Sequence, residues 1–362
     1  MSNRKNGTLK FSLFSDFHYL RGHYINTLGD LQAILDRAAA SEVDLVIQAG
    51  DFCQNRIDSP ELDDVYLNNR YGLPVYGIYG NHDMEWHRRD QSNNMKLITP
   101  LLTNDQSVIW GTEDGSFAED GSIAYYYFEA NGFRVVCLDS NYSWSAEREA
   151  WEHNLPGSWG APEGNERVNS LAPTQLAWLE RVLSDAAERA IPCIVVSHEG
   201  FSTLGKNSPD SEVVREIFRR VNAVRRGTVL MAINGHWHTH NIKIEDGVFY
   251  LQMNTSRCAA ENYAIRDLPP HYPEDMTYDI FAGYGEDGGM RFDNVPLNTA
   301  ERAASCWYFR DALNAIITVT KDGKIKMEGM ETEWLGGVEP PQLTMYMKPY
   351  VMSGEWELNL QP

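Results

Sequence analysis

Along the first two-thirds of the chain, short unbroken apolar runs alternate with stretches in which apolar residues return every three or four positions. Runs at 11–15, 43–49, 74–79, 133–138, 193–197 and 229–234 are short and carry β-branched residues, a pattern that predicts strands. Leu28, Leu31, Ile34, Leu35 and Ala38 fall on one face of a helix. A second helix is predicted over 174–189, opened by Pro173-Thr174 and faced by Leu176, Leu179, Val182 and Leu183, and a third over 210–222. Continuously apolar strands between amphipathic helices predict a sheet covered on both faces. Nearer the C-terminus, 315–320 and 324–327 flank Lys321-Asp322-Gly323, and an Asp-Gly pair between β-like runs signals a hairpin.

Two stretches break this order. Residues 141–170 hold three Trp with several Gly and Pro, and residues 256–300 hold Pro269-Pro270, Pro273 and a glycine-rich 283–289. Loops this long inside a compact domain tend to be functional or disordered, and the aromatic content favours ordered walls of a pocket. The Trp-rich stretch reads either as a plug over the core or as a platform for a nucleobase.

Composition narrows the class. The chain has 362 residues, 43% hydrophobic and 23% charged, which fits a globular protein and excludes disordered, collagen-like and coiled-coil readings. No apolar run reaches the roughly 18 residues of a membrane span. The N-terminal residues 1–7 lack the apolar stretch of a secretory signal. Five scattered cysteines, an odd number with no CxxC pair, predict reduced thiols and a cytoplasmic location. The net charge of −20 disfavours nucleic acid and anionic lipid as partners, while bound cations leave room for a phosphorylated substrate.

The chemistry lies just past the strand ends. The run at 11–15 leads into Asp16-Phe17-His18, and 43–49 into Gly50-Asp51. The run at 74–79 leads into Gly80-Asn81-His82-Asp83, 193–197 into His198, and 229–234 into Gly235-His236-Trp237-His238. Strands sharing an edge would bring these side chains to the place where open α/β sheets bind ligands. The donors are oxygens and nitrogens with no thiolate, which suits Mn, Fe, Zn or Ni better than Ca or Mg. Asp16, His18, Asp51, Asn81, His198, His236 and His238 exceed the needs of one ion. Two ions sharing a carboxylate would use all of them, an arrangement suited to in-line attack on phosphorus.

The ordered set Asp16-x-His18, Gly50-Asp51, Gly80-Asn81-His82-Asp83, His198 and Gly235-His236-x-His238 resembles the calcineurin-like metallophosphoesterases over roughly residues 9–252. The resemblance implies an α/β fold, a four-layer αββα sandwich of two mixed sheets flanked by helices. It implies two divalent transition-metal ions, one on Asp16, His18, Asp51 and His238, the other on Asp51, Asn81, His198 and His236, with Asp51 bridging. It further implies hydrolysis of a small phosphomonoester or phosphodiester by a metal-bridging hydroxide. His82 would lie near the leaving oxygen, with Asp83 as its orienting partner. Residues 1–255 would form the catalytic core, 256–310 a loop-rich insertion near the site, and 311–362 strands completing the same domain.

Gln54 and Asn55 stand where the Ser/Thr phosphatase branch has Asp and Arg, and Gln54 also replaces the tyrosine of the purple acid phosphatases. A nuclease-type phosphodiesterase is the alternative within the fold. It would want a basic groove, and the basic residues cluster only at Arg219-Arg220 and Arg225-Arg226. A non-catalytic scaffold is the other rival, and it would have lost ligands. His23, His87, His153 and His240 fall off the motifs. Cys53 reads as packing, Arg257 as a surface salt-bridge partner with contact to a substrate phosphate as the alternative, and Glu199 as either a neighbour of the ligands or a solvent contact.

Overall fold

The structure is a computed structural model that describes residues 7–19, 27–53, 61–83, 102–118, 123–145, 149–153, 169–203, 208–257, 271–284, 290–296, 298, 307–340 and 348–360. Gln54, Asn55, His23, His87 and much of 141–170 and 256–300 lie outside these residues.

Two mixed sheets form the centre. The first has six strands. β1 (Thr8–Phe14), β2 (Leu45–Gln48) and β3 (Val75–Gly77) run parallel. On the other side of β1, β15 (Ala315–Thr320), β16 (Lys324–Gly329) and β17 (Gly354–Glu357) add antiparallel strands. The second sheet has seven strands. Its parallel centre is β6 (Phe133–Cys137), β9 (Cys193–Val196), β10 (Val229–Asn234) and β12 (Val248–Gln252). β11 (Asn241–Glu245) closes one side; β5 (Tyr126–Ala130) and β4 (Ile109–Trp110) close the other. Two separate hairpins, β7 (Tyr142–Ser145) with β8 (Ala150–His153) and β13 (Thr277–Tyr284) with β14 (Met290–Pro296), arise in the stretches read above as irregular.

Side-chain alternation sorts the strands into layers, because successive residues point to opposite faces. Phe11, Leu13, Leu45 and Ile47 of the first sheet pack against Val135, Cys137, Ile194, Val196, Ile233 and Leu251 of the second. Their neighbours Phe14, Val46 and Val75 face outward onto α1 (Leu28–Ala40) and α2 (Glu61–Tyr66), through Leu31, Ile34, Leu35 and Leu62. On the far side Val136, Cys193, Val195 and Val229 meet α3 (Pro173–Glu188) and α4 (Ser211–Val224), through Leu179, Leu183, Val214 and Phe218. This is the four-layer αββα sandwich that the resemblance implies. A capping box starts α1, in which Thr27 Oγ1 accepts from Asp30 N and Asp30 Oδ2 accepts from Thr27 N.

The ligand-bearing strands do not share one sheet, as the reading of a common edge supposed. β1, β2 and β3 belong to the first sheet, and β9 and β10 to the second. Apolar runs buried on both faces look alike whichever sheet they enter, so the pattern alone does not separate them. No helix among the described residues is long and apolar enough to cross a membrane.

Phe11 is fully buried between the sheets, whereas Val224 at the end of α4 is 75% exposed. Phe11→Ala is expected to cost about 3–5 kcal/mol in urea unfolding. Val224→Ala is expected to stay within about 0.5 kcal/mol of the parent.

Candidate metal centre

The loops that leave the two sheets are zipped together. Past β1 and β2, Asp16 N donates to Gly50 O at 3.0 Å, His18 N to Asp51 O at 2.9 Å, and Tyr19 N to Phe52 O at 3.0 Å. His236 N, arriving from the other sheet, donates to Asp16 Oδ1 at 3.0 Å. Five non-glycine residues here adopt left-handed φ: Asp16 (50°), His18 (50°), Asp51 (51°), His236 (73°) and His238 (52°). Such conformations cost free energy in L-residues, and their surroundings must hold them in place. All five carry metal-donor atoms, so the backbone is bent where it aims them. Two glycines allow the approach. A Cβ at Gly50, itself at φ 93°, would overlap the His198 ring, and one at Gly80 would overlap Asp51 Oδ1.

The donors fall into two groups that meet at Asp51. In the first, His18 Nε2 lies 2.9 Å from His238 Nε2 and 3.9 Å from Asp51 Oδ2, and His238 Nε2 lies 3.3 Å from Asp16 Oδ1. In the second, His198 Nε2 lies 3.1 Å from Asp51 Oδ2 and 3.2 Å from Asn81 Oδ1. His236 Nδ1 lies 2.9 Å from Asn81 Oδ1 and 3.3 Å from His198 Nε2. Nitrogen pairs aimed at one spot, with carboxylates around them, form a cage suited to a cation. Asp16–His18–His238 and Asp51–His198–His236 each bring their ligand atoms within 4.8 Å of one another, as do His18, Asp51 and His82. The donors present thus suit two transition-metal ions of the Mn, Fe, Zn or Ni type.

Electrostatics points the same way. Burial opposes the charge on Asp51, but His198, His82 and His18 outweigh it and hold its carboxyl well below the ordinary range. At Asp16 burial is likewise opposed, chiefly by His238, and the pKa is lowered. Burial also works against a charged His198, yet the Asp51 carboxylate prevails and raises the imidazole to about 10. Around Asp51, therefore, buried carboxylates and the His198 imidazole favour each other's charged form.

His82 borders both its loop and the first group. Its N–H donates to Asp51 Oδ1 at 2.7 Å, and its ring meets His18 edge-on with centroids 4.8 Å apart. Asp83, expected as the orienting partner of His82, bonds the backbone of two neighbouring loops. Its Oδ2 accepts from Gly80 N at 2.8 Å and its Oδ1 from Cys53 N at 2.8 Å. It clamps the loops after β2 and β3 together, and burial with the Asp51 charge raises its pKa to about 6. Cys53 Sγ also turns to Asp83, at 3.4 Å. Arg257 is buried, not at the surface, and pairs with Asp30 at 2.8 Å. His240 is buried, its ring tilted 50° to that of Tyr350, with its pKa pulled down by burial to about 4. Glu199 is buried at the site, with Oε1 3.2 Å from His236 Nε2.

Sequence reading overlooked one supporting loop. Past β6, Ser140 Oγ accepts from Glu199 N at 3.2 Å and Asn141 Nδ2 donates to Tyr79 O at 2.9 Å, tying the loops after β9 and β3. Gln175 of α3 holds Asp139 through both its N–H and its carbonyl. The signal was available: polar Asp139-Ser140-Asn141 follows an apolar run as the other motifs do.

The sequence model of the family described as calcineurin-like phosphoesterase matches residues 9–240, more than half of the chain. The manganese-dependent ADP-ribose/CDP-alcohol diphosphatase of Xenopus tropicalis is 24% identical over 212 residues, 50% of this chain and 62% of the relative's length. The chain thus spans less than two-thirds of that relative. A dimetal phosphatase from Danio rerio superposes with a TM-score of 0.53 at 16% identity, covering 91% of this chain and 99% of its own, which is a likeness of fold.

The Asp51 carboxylate raises the His198 imidazole to about 10, so a cation that takes His198 Nε2 at pH 7 is expected to displace a proton. Mn²⁺ uptake is expected to release protons and to tighten as pH rises toward that value. Calorimetry in two buffers of different ionisation enthalpy measures the release, and a binding heat independent of buffer would contradict it.

Proposed function

The chain belongs to the calcineurin-like phosphoesterase family, and we propose that its two donor groups make it a hydrolase of small phosphorylated compounds that works with two divalent cations. The observation that carries this reading is the pair of buried donor groups meeting at Asp51. Asp16, His18, Asp51 and His238 would hold one cation, and Asp51, Asn81, His198 and His236 the other. When bound, the two cations would polarise the phosphate, activate a water and balance charge on the leaving oxygen.

The chain's own residues do the rest. Asp51 links the two positions, and its Oδ1 also fixes the His82 backbone. His82, beside Asp51 and His18, is placed to give a proton or positive charge to the leaving oxygen. Asp83 acts here as a brace, keeping Gly80 and Cys53 at the spacing that lets Asn81 and Asp51 face the same point.

A phosphomonoester or phosphodiester of modest size fits this machinery. The name of the Xenopus relative favours diphosphate-bridged compounds within that range. The net charge of −20 weighs against a nuclease, and the intact donor set against a non-catalytic scaffold. Buried thiols outside any disulfide at Cys137 and Cys193 support a cytoplasmic setting. The division into a core at 1–255, a loop-rich 256–310 and a completing 311–362 belongs to the same reading, supported by the pairing of β15 with β1.

Purified protein loaded with Mn²⁺ should carry close to two ions per chain by elemental analysis, and Asp51→Asn should lose them. A panel of phosphate monoesters, diesters and diphosphate-linked nucleotides should be cleaved only by the loaded protein. His82→Ala should keep its ions yet lose about 10²–10⁴-fold in turnover of esters with poor leaving groups, and less with p-nitrophenyl esters. Loss of the ions in His82→Ala would remove His82 from this role.

A further inference from the structure

Each imidazole of the second donor group has one nitrogen facing the centre and one facing away. For His198 the inner nitrogen is Nε2, near Asp51 and Asn81, and the outer Nδ1 donates to the Ala49 carbonyl at 3.0 Å. That bond keeps a proton on Nδ1, so Nε2 is the nitrogen that a cation would take. His236 is turned the other way. Its Nδ1 faces Asn81 and His198, and its outer Nε2 lies 3.2 Å from Glu199 Oε1. Glu199 is only 5% exposed and is itself held, with Asn169 Nδ2 donating to the same oxygen at 3.1 Å and Ser140 Oγ accepting from its backbone N–H. A buried carboxylate, held by Asn169 on a backbone anchored by Ser140, therefore sits behind His236 where a carbonyl sits behind His198.

Resting on the two-cation reading above, we propose that Glu199 is a positioning residue: it fixes the Nε2–H tautomer of His236, turns Nδ1 toward the second cation and raises the basicity of the ring. A carboxylate hydrogen-bonded to a metal-ligating imidazole sets which nitrogen binds and strengthens it as a donor. His236 needs this more than the other imidazoles. Its side chain is 17% exposed, against 1–3% for His18, His198 and His238, so water competes for its outer nitrogen.

The test is Mn²⁺ titration by calorimetry on the full chain, comparing the parent with Glu199→Ala, Glu199→Gln and Asn169→Ala. Glu199→Ala should weaken one of the two ions by about 10- to 100-fold and leave the other unchanged. Glu199→Gln keeps an acceptor oxygen without the charge and should recover part of that loss, and Asn169→Ala should show a smaller shift in the same direction. In Zn²⁺-loaded protein labelled with ¹⁵N-histidine, the parent should show His236 protonated at Nε2, and Glu199→Gln should keep that tautomer. Parental affinity for both ions in Glu199→Ala, or His236 protonated at Nδ1 in the parent, would overturn the inference. Fewer than two ions on the parent itself would overturn the two-cation reading and this inference with it. If Glu199→Ala does not fold, Glu199→Gln decides, since parental affinity for both ions there would remove the role of the charge.

Discussion

Two carboxylates, Asp16 and Asp51, are buried within each other's field where the two sheets meet. Water does not reach them, so compensating charge has to be supplied by neighbours. That requirement explains why imidazoles converge on the spot from strands in both sheets, and why the backbone accepts left-handed turns at the residues that carry them. The hydrogen bonds running from Asp16 to Gly50, from His18 to Asp51 and from His236 to Asp16 keep the loops from relaxing apart. Cations suit that demand, because each would draw on several of the converging donors at once.

Much of this was readable from residue order, for a physical reason. A strand buried on both faces is an unbroken apolar run, and a polar residue straight after it is stranded at the sheet edge unless it has work there. β1, β2, β3, β9 and β10 all follow that rule, while the hairpin β15–β16 is marked by its Asp-Gly turn and helices α1, α3 and α4 by their periodic apolar faces. Other elements lack the signature. β5 reads Tyr-Tyr-Phe-Glu-Ala and β11 reads Asn-Ile-Lys-Ile-Glu, near the rim of the second sheet, where one face is half open. β13–β14 and β7–β8 lie outside both main sheets, so no periodic apolar face announces them.

The site divides along the same line. Groups that face the centre are tied to short motifs and can be located by them. Groups that hold those residues in place answer to three-dimensional neighbours instead. Asp83 belongs to a motif, yet its bonds go to Gly80 and to Cys53 thirty residues upstream, a brace that adjacency to His82 does not suggest. Ser140, Asn141 and Gln175 act through backbone groups that any residue would present, so their partners leave no mark on the chain.

The pairing of β15 with β1 bears on how the protein is made. Thr8 lies opposite Thr320 and Leu13 opposite Ala315, so the strand leading to Asp16 and His18 is flanked by residues translated some three hundred codons later. Until that segment leaves the ribosome, one side of β1 has its amide and carbonyl groups unpaired, and such an open margin invites pairing with another nascent chain. Synthesis therefore pairs this side of the first ligand-bearing strand only after some three hundred further residues are made, and that interval exposes the polypeptide to misassembly.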